Sequence, residues 1–150
     1  MARVLLVAST GGHLAQLVAV GEAWRDHQRH WVSFDKPDAR AALAGELCTW
    51  AFHPTTRNLP NALRNLRLAW RVLRTWRPDL VVSTGAGVAF PFFVIARVLR
   101  VRTVYLEVVD RITRPTLTGR LCYPLSDAFA LQWEEQLQLH RQGTVVGSTL

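Results

Sequence analysis

The sequence predicts an α/β fold in which helices flank a parallel sheet, and three observations carry this prediction. Short apolar segments of strand length alternate with longer segments of helical periodicity. Two apolar segments end in glycine-rich turns, at Gly11-Gly12 and at Gly85-Ala86-Gly87. The 150 residues are 49% hydrophobic, which suffices for one continuous core. Because no repeat or long linker interrupts the alternation, we predict a single Rossmann-like domain over residues 1–150.

The first elements form a strand-helix-strand unit. Val4–Ala8 is an uninterrupted apolar run, which is typical of a parallel strand buried on both faces. After the first glycine turn we predict a helix, and His30–Phe34 is predicted to be the second strand. The helix is indicated by apolar residues at helical spacing, namely Leu14, Leu17, Val18 and Trp24.

The middle of the chain contains an irregular segment between two regular ones. A short helix over Ala39–Leu47 and a strand over Thr49–Phe52 precede it. The segment from His53 to Pro60 has two prolines and no periodicity, so we interpret it as a functional loop. Asn61–Trp76 is predicted to be a basic amphipathic helix. Its apolar side would consist of Leu63, Leu66, Trp70 and Leu73, and its basic side of Arg64, Arg67, Arg71 and Arg74.

This basic helix has two interpretations. Its arginines are suited to anionic lipid headgroups, with Trp70 and Trp76 entering the membrane interface beside them. Alternatively, the arginines are simply solvated and the tryptophans pack inward against the sheet. The apolar segment Phe90–Phe93 is likewise either a second membrane contact or part of a buried helix.

The rest of the chain repeats the alternation. Leu80–Ser83 is predicted to be a buried strand that leads into the second glycine turn and then into an apolar helix. We predict two further strands, at Thr103–Val108 and Ala128–Gln132. We also predict two further helices, at Leu117–Leu125 and Glu134–His140.

Composition excludes several classes of protein. Cys48 and Cys122 lie far apart, without Cys or His at metal-ligand spacing, so we expect no zinc site, no other metal and no disulfide. The longest apolar run, Ala86–Ala96, is too short to span a bilayer, and we find no secretory signal. We therefore expect a cytoplasmic protein. The formal net charge of +7 favours anionic partners, but the motifs of nucleic-acid binding are missing.

The glycine turns are the predicted binding site, because ligands of such sheets bind beyond the carboxyl ends of the strands. Without side chains, Gly11, Gly12, Gly85 and Gly87 let backbone N–H groups approach a phosphate. Glycine is also common in tight turns that bind nothing. The presence of two such turns favours ligand binding.

Two ionisable side chains are candidates for proton transfer. His13 follows the first glycine pair, where it would act as a base or donate a hydrogen bond, or simply begin the helix. Glu107 ends a buried strand, where burial would raise its pKa and suit it to the same task. Its structural alternative is an ion pair with Arg111 or Arg114. Asp110 is a weaker candidate.

A nicotinamide-type dinucleotide site is the competing interpretation of the first turn. Asp35 ends the second strand near the position of a ribose-binding acid. However, the first turn lacks the third glycine of that motif, and the chain has no Walker-type lysine.

Several motifs, in order and spacing, resemble the Alg14-like family of oligosaccharide biosynthesis proteins, which includes bacterial exopolysaccharide glycosyltransferase subunits. The resemblance covers nearly the whole chain. It begins with Ser9–His13 and continues with Pro78–Val82 and Gly85–Gly87. The more distinctive segments are Tyr105–Glu107, Arg111, Leu117–Leu121, Tyr123–Asp127 and Gln132–Glu134.

The resemblance implies half of a split, metal-independent glycosyltransferase of the two-domain GT-B type. This chain would correspond to its N-terminal, acceptor-side domain, and a small nucleotide-binding subunit would hold most of the UDP-sugar donor. No cofactor is implied. By motif match, Gly11, Gly12 and His13 would face a polyprenyl-diphosphate-linked glycan acceptor. A second wall would consist of Gly85, Gly87, Glu107 and Arg111.

Within this interpretation, His13 or Glu107 would be the base that activates the acceptor hydroxyl. We expect a peripheral location on the cytoplasmic face of the membrane, reached through Asn61–Trp76. Two alternatives stay open. One is a noncatalytic recruiter that brings a catalytic partner to the membrane, and the other is a small NAD- or nucleotide-binding module.

Overall fold

The computed structural model of the chain describes residues 1–108 and 115–147. Within these residues the chain forms a seven-stranded sheet whose paired strands are all parallel. The strands are β1 (Arg3–Ala8), β2 (Gln28–Phe34), β3 (Cys48–Ala51), β4 (Leu80–Gly85), β5 (Arg102–Leu106), β6 (Ala128–Leu131) and β7 (Thr144–Val145). Their order is β3-β2-β1-β4-β5-β6-β7, which confirms the predicted Rossmann-like α/β fold.

Helices connect most of these strands. The α-helices are α1 (Gly12–Ala19), α2 (Pro37–Ala42), α3 (Leu59–Trp76), α4 (Ala89–Val98) and α5 (Leu117–Cys122). Short 3-10 segments cover Val20–Trp24, Tyr123–Leu125 and Glu134–Gln138. As predicted, β1 and β4 each lead through a glycine turn into a helix.

The sheet is covered on both faces, as the alternation of side chains along β1 shows. Leu5 and Val7 point into a core built with α3 and α4. Val4 and Leu6 point to the other face, into a core built with α1 and α2. Because successive side chains of a strand face opposite sides, the apolar run of β1 supplies both cores.

Helix α3 has well-defined ends. The Asn58 side chain accepts a hydrogen bond from the Asn61 amide at 3.0 Å, and Pro60 stands in the first turn, where no backbone donor is needed. Arg77 closes the helix in a left-handed conformation with a φ of 52°. The helix therefore begins two residues before the predicted start at Asn61 and ends at Trp76, as predicted.

The predicted apolar stripe of α3 is right for Leu73, which is buried, and for Leu66, which packs against the core, but wrong for the other two residues. Leu63 and Trp70 are 54% and 44% exposed. The side facing the core instead consists of Asn61, Asn65, Leu68, Ala69, Val72 and Leu73. Two asparagines occupy this side because their amides bind the backbone of the preceding loop, a contact that hydrophobic periodicity does not register. The true stripe is thus rotated, and large apolar side chains are left at the surface.

Other boundaries differ from the prediction for local reasons. The second helix covers Pro37–Ala42 rather than Ala39–Leu47, because Leu47 already accepts a hydrogen bond from the Trp31 amide of β2. The helix predicted over Glu134–His140 is a 3-10 segment over Glu134–Gln138. Strand β7 was not predicted, since two residues are too few to show periodicity.

Candidate functional site

The two glycine loops lie side by side at the carboxyl edge of the sheet. β1 pairs with β4, with Ala8 opposite Gly85, so the loops that follow the two strands begin at the same level. The helices that follow pack on opposite faces, α1 with one core and α4 with the other. The strand order reverses here, which is where sheets of this type open a crevice for ligands.

His13 joins the two loops through a reciprocal pair of hydrogen bonds. Its ring Nδ1 lies 2.8 Å from the backbone oxygen of Thr84. In return, the Thr84 hydroxyl donates to the backbone oxygen of His13 at 2.6 Å. Because a carbonyl oxygen only accepts, Nδ1 carries the proton, and in the neutral ring Nε2 is left with its lone pair. This half-buried imidazole is therefore oriented as a proton acceptor.

The first glycine loop is open to a ligand. Gly11 and Gly12 are exposed, and a Cβ at either position would meet no atom within 4 Å among the described residues. Gly11 has a φ of +73°, a conformation that favours glycine. Its amide donates to the Asp38 carboxylate at 2.9 Å, which ties the loop to α2. No side chain of the described residues caps the start of α1.

The glycines of the second loop have a packing role. Gly85 has a φ of +108°, and a Cβ there would collide with the Tyr105 hydroxyl. At Gly87 a Cβ would stand 2.8 Å from the Thr55 side chain. These glycines let β5 and the loop after β3 approach β4 closely. The structure thus adds Tyr105 and Thr55 to the surroundings of the predicted site.

Glu107 is fully buried, with 0% of its surface exposed. One carboxylate oxygen accepts a hydrogen bond from the Val108 amide at 3.1 Å. The other lies 3.2 Å from Nε2 of His140, which is also buried. Gly119 lies so close that a Cβ there would stand 2.9 Å from the same oxygen. The carboxylate is therefore held inside the protein by the segments that follow β5 and β6.

A pair of buried glutamines connects Glu107 to the helix that carries His13. The Gln132 side-chain amide donates to Gln16 of α1 at 2.6 Å and to the backbone oxygen of Glu107 at 2.9 Å. The side-chain carbonyl of Gln136 accepts a hydrogen bond from the backbone N–H of Gln132 at 2.8 Å. These bonds fix the distance between α1 and the end of β5.

The remaining candidates from the sequence have different outcomes. Arg111, predicted to bind substrate, lies outside the described residues, as do Asp110 and Arg114. Asp35, the candidate ribose ligand, is paired with Arg40, whose guanidinium holds the pKa of that carboxyl below its usual range. No group of three metal-ligating side chains occurs within residues 1–108 and 115–147.

The two thiols are poor nucleophiles. Burial, with a smaller contribution from Glu107, raises the pKa of Cys122 to about 12. Burial also raises the pKa of Cys48 to about 11. Both thiols therefore stay protonated at neutral pH, and cysteine chemistry has no support in this arrangement.

Helix α3 presents a mixed surface of apolar and basic side chains. Leu59, Leu63 and Trp70 are 71%, 54% and 44% exposed. Four exposed arginines flank them, and none has an ion pair among the described residues; they are Arg64, Arg67, Arg71 and Arg74. The Arg74 guanidinium lies over the Trp70 ring, 5.4 Å from its centre. None of the helices in the described part of the chain is both long and apolar enough to cross a membrane.

Sequence reasoning missed Thr84 and Gln132 as parts of the site, and it predicted a functional loop after β3 without placing that loop beside the second glycine turn. Thr84 precedes Gly85 directly, so its position at the strand end was visible, but its partner His13 is 71 residues away. Gln132 had been noted only as part of a family motif. A polar residue at the end of an apolar strand is the signal that both share.

Comparison with known proteins identifies similar sequences and folds. A family model described as "Oligosaccharide biosynthesis protein Alg14 like" matches residues 52–148. The "UDP-N-acetylglucosamine transferase subunit ALG14" of Eremothecium gossypii is 35% identical over 118 residues, covering 75% of this chain and 52% of that protein. The protein of the same description from Rattus norvegicus is 26% identical, covering 96% of this chain and 81% of its own length.

A solved structure shows the same fold. The crystal structure of Acinetobacter baumannii MurG superposes with a TM-score of 0.75 at 17% identity, covering 90% of this chain and 43% of MurG. This chain thus spans about half of the length of the Eremothecium relative and less than half of MurG. At this identity the likeness to MurG extends to the fold alone.

Proposed function

The chain belongs to the Alg14-like family of oligosaccharide biosynthesis proteins, and on that premise we propose that it is the acceptor-binding subunit of a two-component glycosyltransferase. The donor is a UDP-sugar, bound mainly by a small nucleotide-binding partner. The acceptor is a glycan linked to a polyprenyl diphosphate in polysaccharide biosynthesis. The relatives described as transferase subunits support this proposal, since a subunit acts with a partner.

The observation that carries the proposal is the coupling of the two glycine loops by His13 and Thr84. It places an oriented imidazole beside an open loop, at the point where the strand order reverses. A transferase needs a base at the acceptor hydroxyl and backbone donors for the acceptor phosphates. Both are available at this edge.

In the proposed reaction, Nε2 of His13 takes the proton of the acceptor hydroxyl. The hydroxyl oxygen then attacks the anomeric carbon of the donor sugar, and the bond between that carbon and UDP breaks. The electron pair leaves with UDP, whose charge the partner stabilises. His13 returns its proton to solvent. Exposed Gly12, at the start of α1, faces the acceptor diphosphate, while the Gly11 amide stays bonded to Asp38.

Of the two predicted bases, we favour His13 and assign Glu107 a positioning role. Glu107 is completely buried and lies beside His140, whereas His13 is half-buried beside the open first loop. Through Gln132, its strand is connected to α1, which carries His13. Its charge and volume then hold the end of β5 in place.

Membrane recruitment through α3 is the second part of the proposal. Exposed Leu59, Leu63 and Trp70 beside four arginines have the composition of a helix that lies in an anionic membrane interface. The N-terminal end of α3 follows the loop at the carboxyl edge of the sheet. Docking along α3 would therefore bring the glycine loops near a lipid-linked acceptor on the cytoplasmic face.

Reconstitution tests this function. The chain and a small nucleotide-binding transferase subunit, sought among the proteins encoded beside it, are purified separately and mixed with a UDP-sugar and a polyprenyl-diphosphate-linked glycan. Transfer is expected from the mixture and from neither protein alone. Equal turnover by the chain alone would contradict the two-component proposal.

A noncatalytic recruiter is the second candidate, and the apolar and basic surface of α3 is the observation that favours it. His13→Ala and Glu107→Ala separate the two functions in the reconstituted pair. If both variants keep full activity while the pair still assembles, this chain only recruits its partner.

A further inference from the structure

The loop after β3 packs directly against the second glycine loop. A Cβ on Gly87 would lie only 2.8 Å from the Thr55 side chain, so the two loops are in close contact. The ring of His53 lies 5.2 Å from that of Phe34 at the end of β2. The loop therefore forms part of the carboxyl edge of the sheet, next to the proposed acceptor site.

Buried side chains of α3 hold this loop in one conformation. The Asn65 amide group, fully buried, binds both the N–H and the oxygen of Phe52, at 2.8 and 2.9 Å. One turn earlier, Asn61 donates to the Pro54 oxygen at 2.9 Å. Side-chain bonds to backbone groups replace the strand ladder here. The loop is thus fixed by the helix that follows it, as a preorganised binding wall requires.

The loop and the start of α3 border a shallow hollow that is wide open to solvent and has a polar and an apolar side. Its volume is about 420 Å³, and it is lined by Thr55, Arg57, Asn58, Leu59 and Ala62. Arg57 is exposed and has no ion pair among the described residues. Leu59 is 71% exposed, and Leu63, one turn further along α3, continues its apolar surface.

We propose that this hollow binds the prenyl diphosphate end of the acceptor, with Arg57 on a phosphate and Leu59 and Leu63 under the first isoprene units. The inference rests on the proposed function and adds the residues that select a lipid carrier. A guanidinium binds phosphate oxygens through paired N–H donors, and the hydroxyl of Thr55 supplies another donor. The apolar side leads onto the surface of α3 that is proposed to meet the membrane.

In this arrangement Arg57 of the loop and the exposed leucines of α3, Leu59 and Leu63, bind different parts of one ligand. A nucleotide diphosphate would use Arg57 but gain nothing from the leucines. A prenyl diphosphate uses both. The two sources of a diphosphate therefore differ in their dependence on Leu59.

Equilibrium titration of the purified full chain tests the proposal with three soluble probes: farnesyl diphosphate, inorganic pyrophosphate and UDP. Arg57→Gln is expected to weaken binding of farnesyl diphosphate about tenfold. Leu59→Ser should weaken farnesyl diphosphate and leave pyrophosphate unchanged. Thermal unfolding of each variant confirms that it is folded.

The chain offers a matched control for Arg57. Arg100 is also an exposed arginine with a positive φ, 57° against 49° for Arg57, but it precedes β5 at the opposite edge of the sheet. Arg100→Gln should leave all three affinities unchanged. Equal effects of Arg57→Gln and Arg100→Gln would overturn the proposal, and so would a wild-type chain that does not bind farnesyl diphosphate.

The outcome is separable from that of the reconstitution. Farnesyl diphosphate binding that depends on Arg57 and Leu59, in a pair that transfers no sugar, would remove the transferase function and leave the prenyl diphosphate site. Sugar transfer that is insensitive to Arg57→Gln and Leu59→Ser would remove the prenyl diphosphate site and leave the transferase function.

Discussion

At the scale of single residues, the proposed proton transfer depends on the orientation of His13. The Thr84 oxygen fixes the proton of the imidazole on Nδ1, and Thr84 also holds the His13 backbone. A side chain that is already held in this orientation has little rotational entropy left to lose when the acceptor hydroxyl binds. The two contacts fix the imidazole that we propose as the base.

Substitution of His13 tests its role in the reconstituted pair. His13→Asn should lower kcat by about 10²- to 10⁴-fold, the range of general-base catalysis, with little change in KM for the UDP-sugar. Steady-state kinetics with both substrates varied measures the two effects.

Thr84 supplies the matched control for that measurement. Thr84→Ser keeps the hydroxyl and should keep most of the activity, whereas Thr84→Val removes it and should lower kcat. A His13→Asn enzyme with unchanged kcat would exclude this histidine as the base.

Gly85 makes a prediction about stability. Gly85→Ala would place a methyl group against the Tyr105 hydroxyl at a φ of +108°, so unfolding should become easier by about 2 kcal/mol or more. Chemical denaturation measures the loss. Tyr105→Phe should restore part of it, because the hydroxyl is the atom in closest contact.

Gly12→Ala provides the contrast, since a Cβ there meets no described atom within 4 Å. Its free energy of unfolding should change by only about 0.5 kcal/mol. If both alanine variants were equally stable, the close packing of Tyr105 on Gly85 would be wrong.

Residue-scale prediction from the sequence succeeded where the chemistry is local. His13 and the first glycines stand next to a strand end, so their position at the sheet edge followed from the pattern of β1. The pairing of His13 with Thr84 spans 71 residues and depends on the order of strands, which no local pattern encodes. For the same reason the burial of Glu107 was visible, but not its neighbour His140.

At the scale of elements, α3 illustrates where periodicity fails. Its sixteen-residue pattern was recognised as an amphipathic helix, yet the stripe assigned to the core was rotated. Asn61 and Asn65 face inward because backbone groups of the preceding loop satisfy their amides. Leucine and tryptophan are then displaced to the surface. Hydrogen bonding of the loop, together with the burial of Leu68, Val72 and Leu73, decides which side of this helix is buried.

The exposed side of α3 should bind anionic vesicles. Each arginine near such a surface contributes roughly 1 kcal/mol, about a factor of five in affinity, so Arg67→Gln with Arg71→Gln should reduce binding about 25-fold. Sedimentation with vesicles containing anionic lipid measures it, and added salt should weaken binding by the wild-type chain.

Two arginines away from α3 form the control for the vesicle experiment. Arg100→Gln with Arg102→Gln removes the same charge from the opposite edge of the sheet. Binding by this variant should stay close to wild type. A loss equal to that of the α3 variant would mean that net charge alone, not the surface of α3, attracts the vesicles.

At the scale of the whole molecule, the charge is distributed unevenly. Residues 57–98, from the loop before α3 to the end of α4, carry seven arginines and a single acidic residue, Asp79. These two helices cover one face of the sheet, so this face carries most of the net positive charge of the protein. The other face mixes acidic and basic side chains. Such an asymmetry orients a protein on an anionic surface before any specific contact forms.

The stability of the whole fold should depend on pH through His30. This histidine is buried between β3 and α3, with Nε2 2.7 Å from the Thr49 hydroxyl and its ring against Trp76. Burial lowers its pKa below the usual value of about 6.5, so the unfolded chain binds its proton more readily. Stability should therefore fall as the pH decreases below about 6.5.

Denaturant unfolding at pH 7.5 and 5.5 measures this dependence. His30→Gln removes the titrating group, so the loss of stability between the two pH values should be smaller than in the wild type. An identical loss in both proteins would show that His30 does not contribute to the pH dependence.

If this chain carries the acceptor side of a shared site, the isolated wild-type chain should bind the acceptor without its partner. The ligands for this titration are UDP and a short-chain prenyl-diphosphate-linked glycan, each measured by calorimetry. The glycan acceptor is expected to bind, and UDP to bind at least tenfold more weakly. UDP binding as tight as, or tighter than, acceptor binding would assign the donor side to this chain instead.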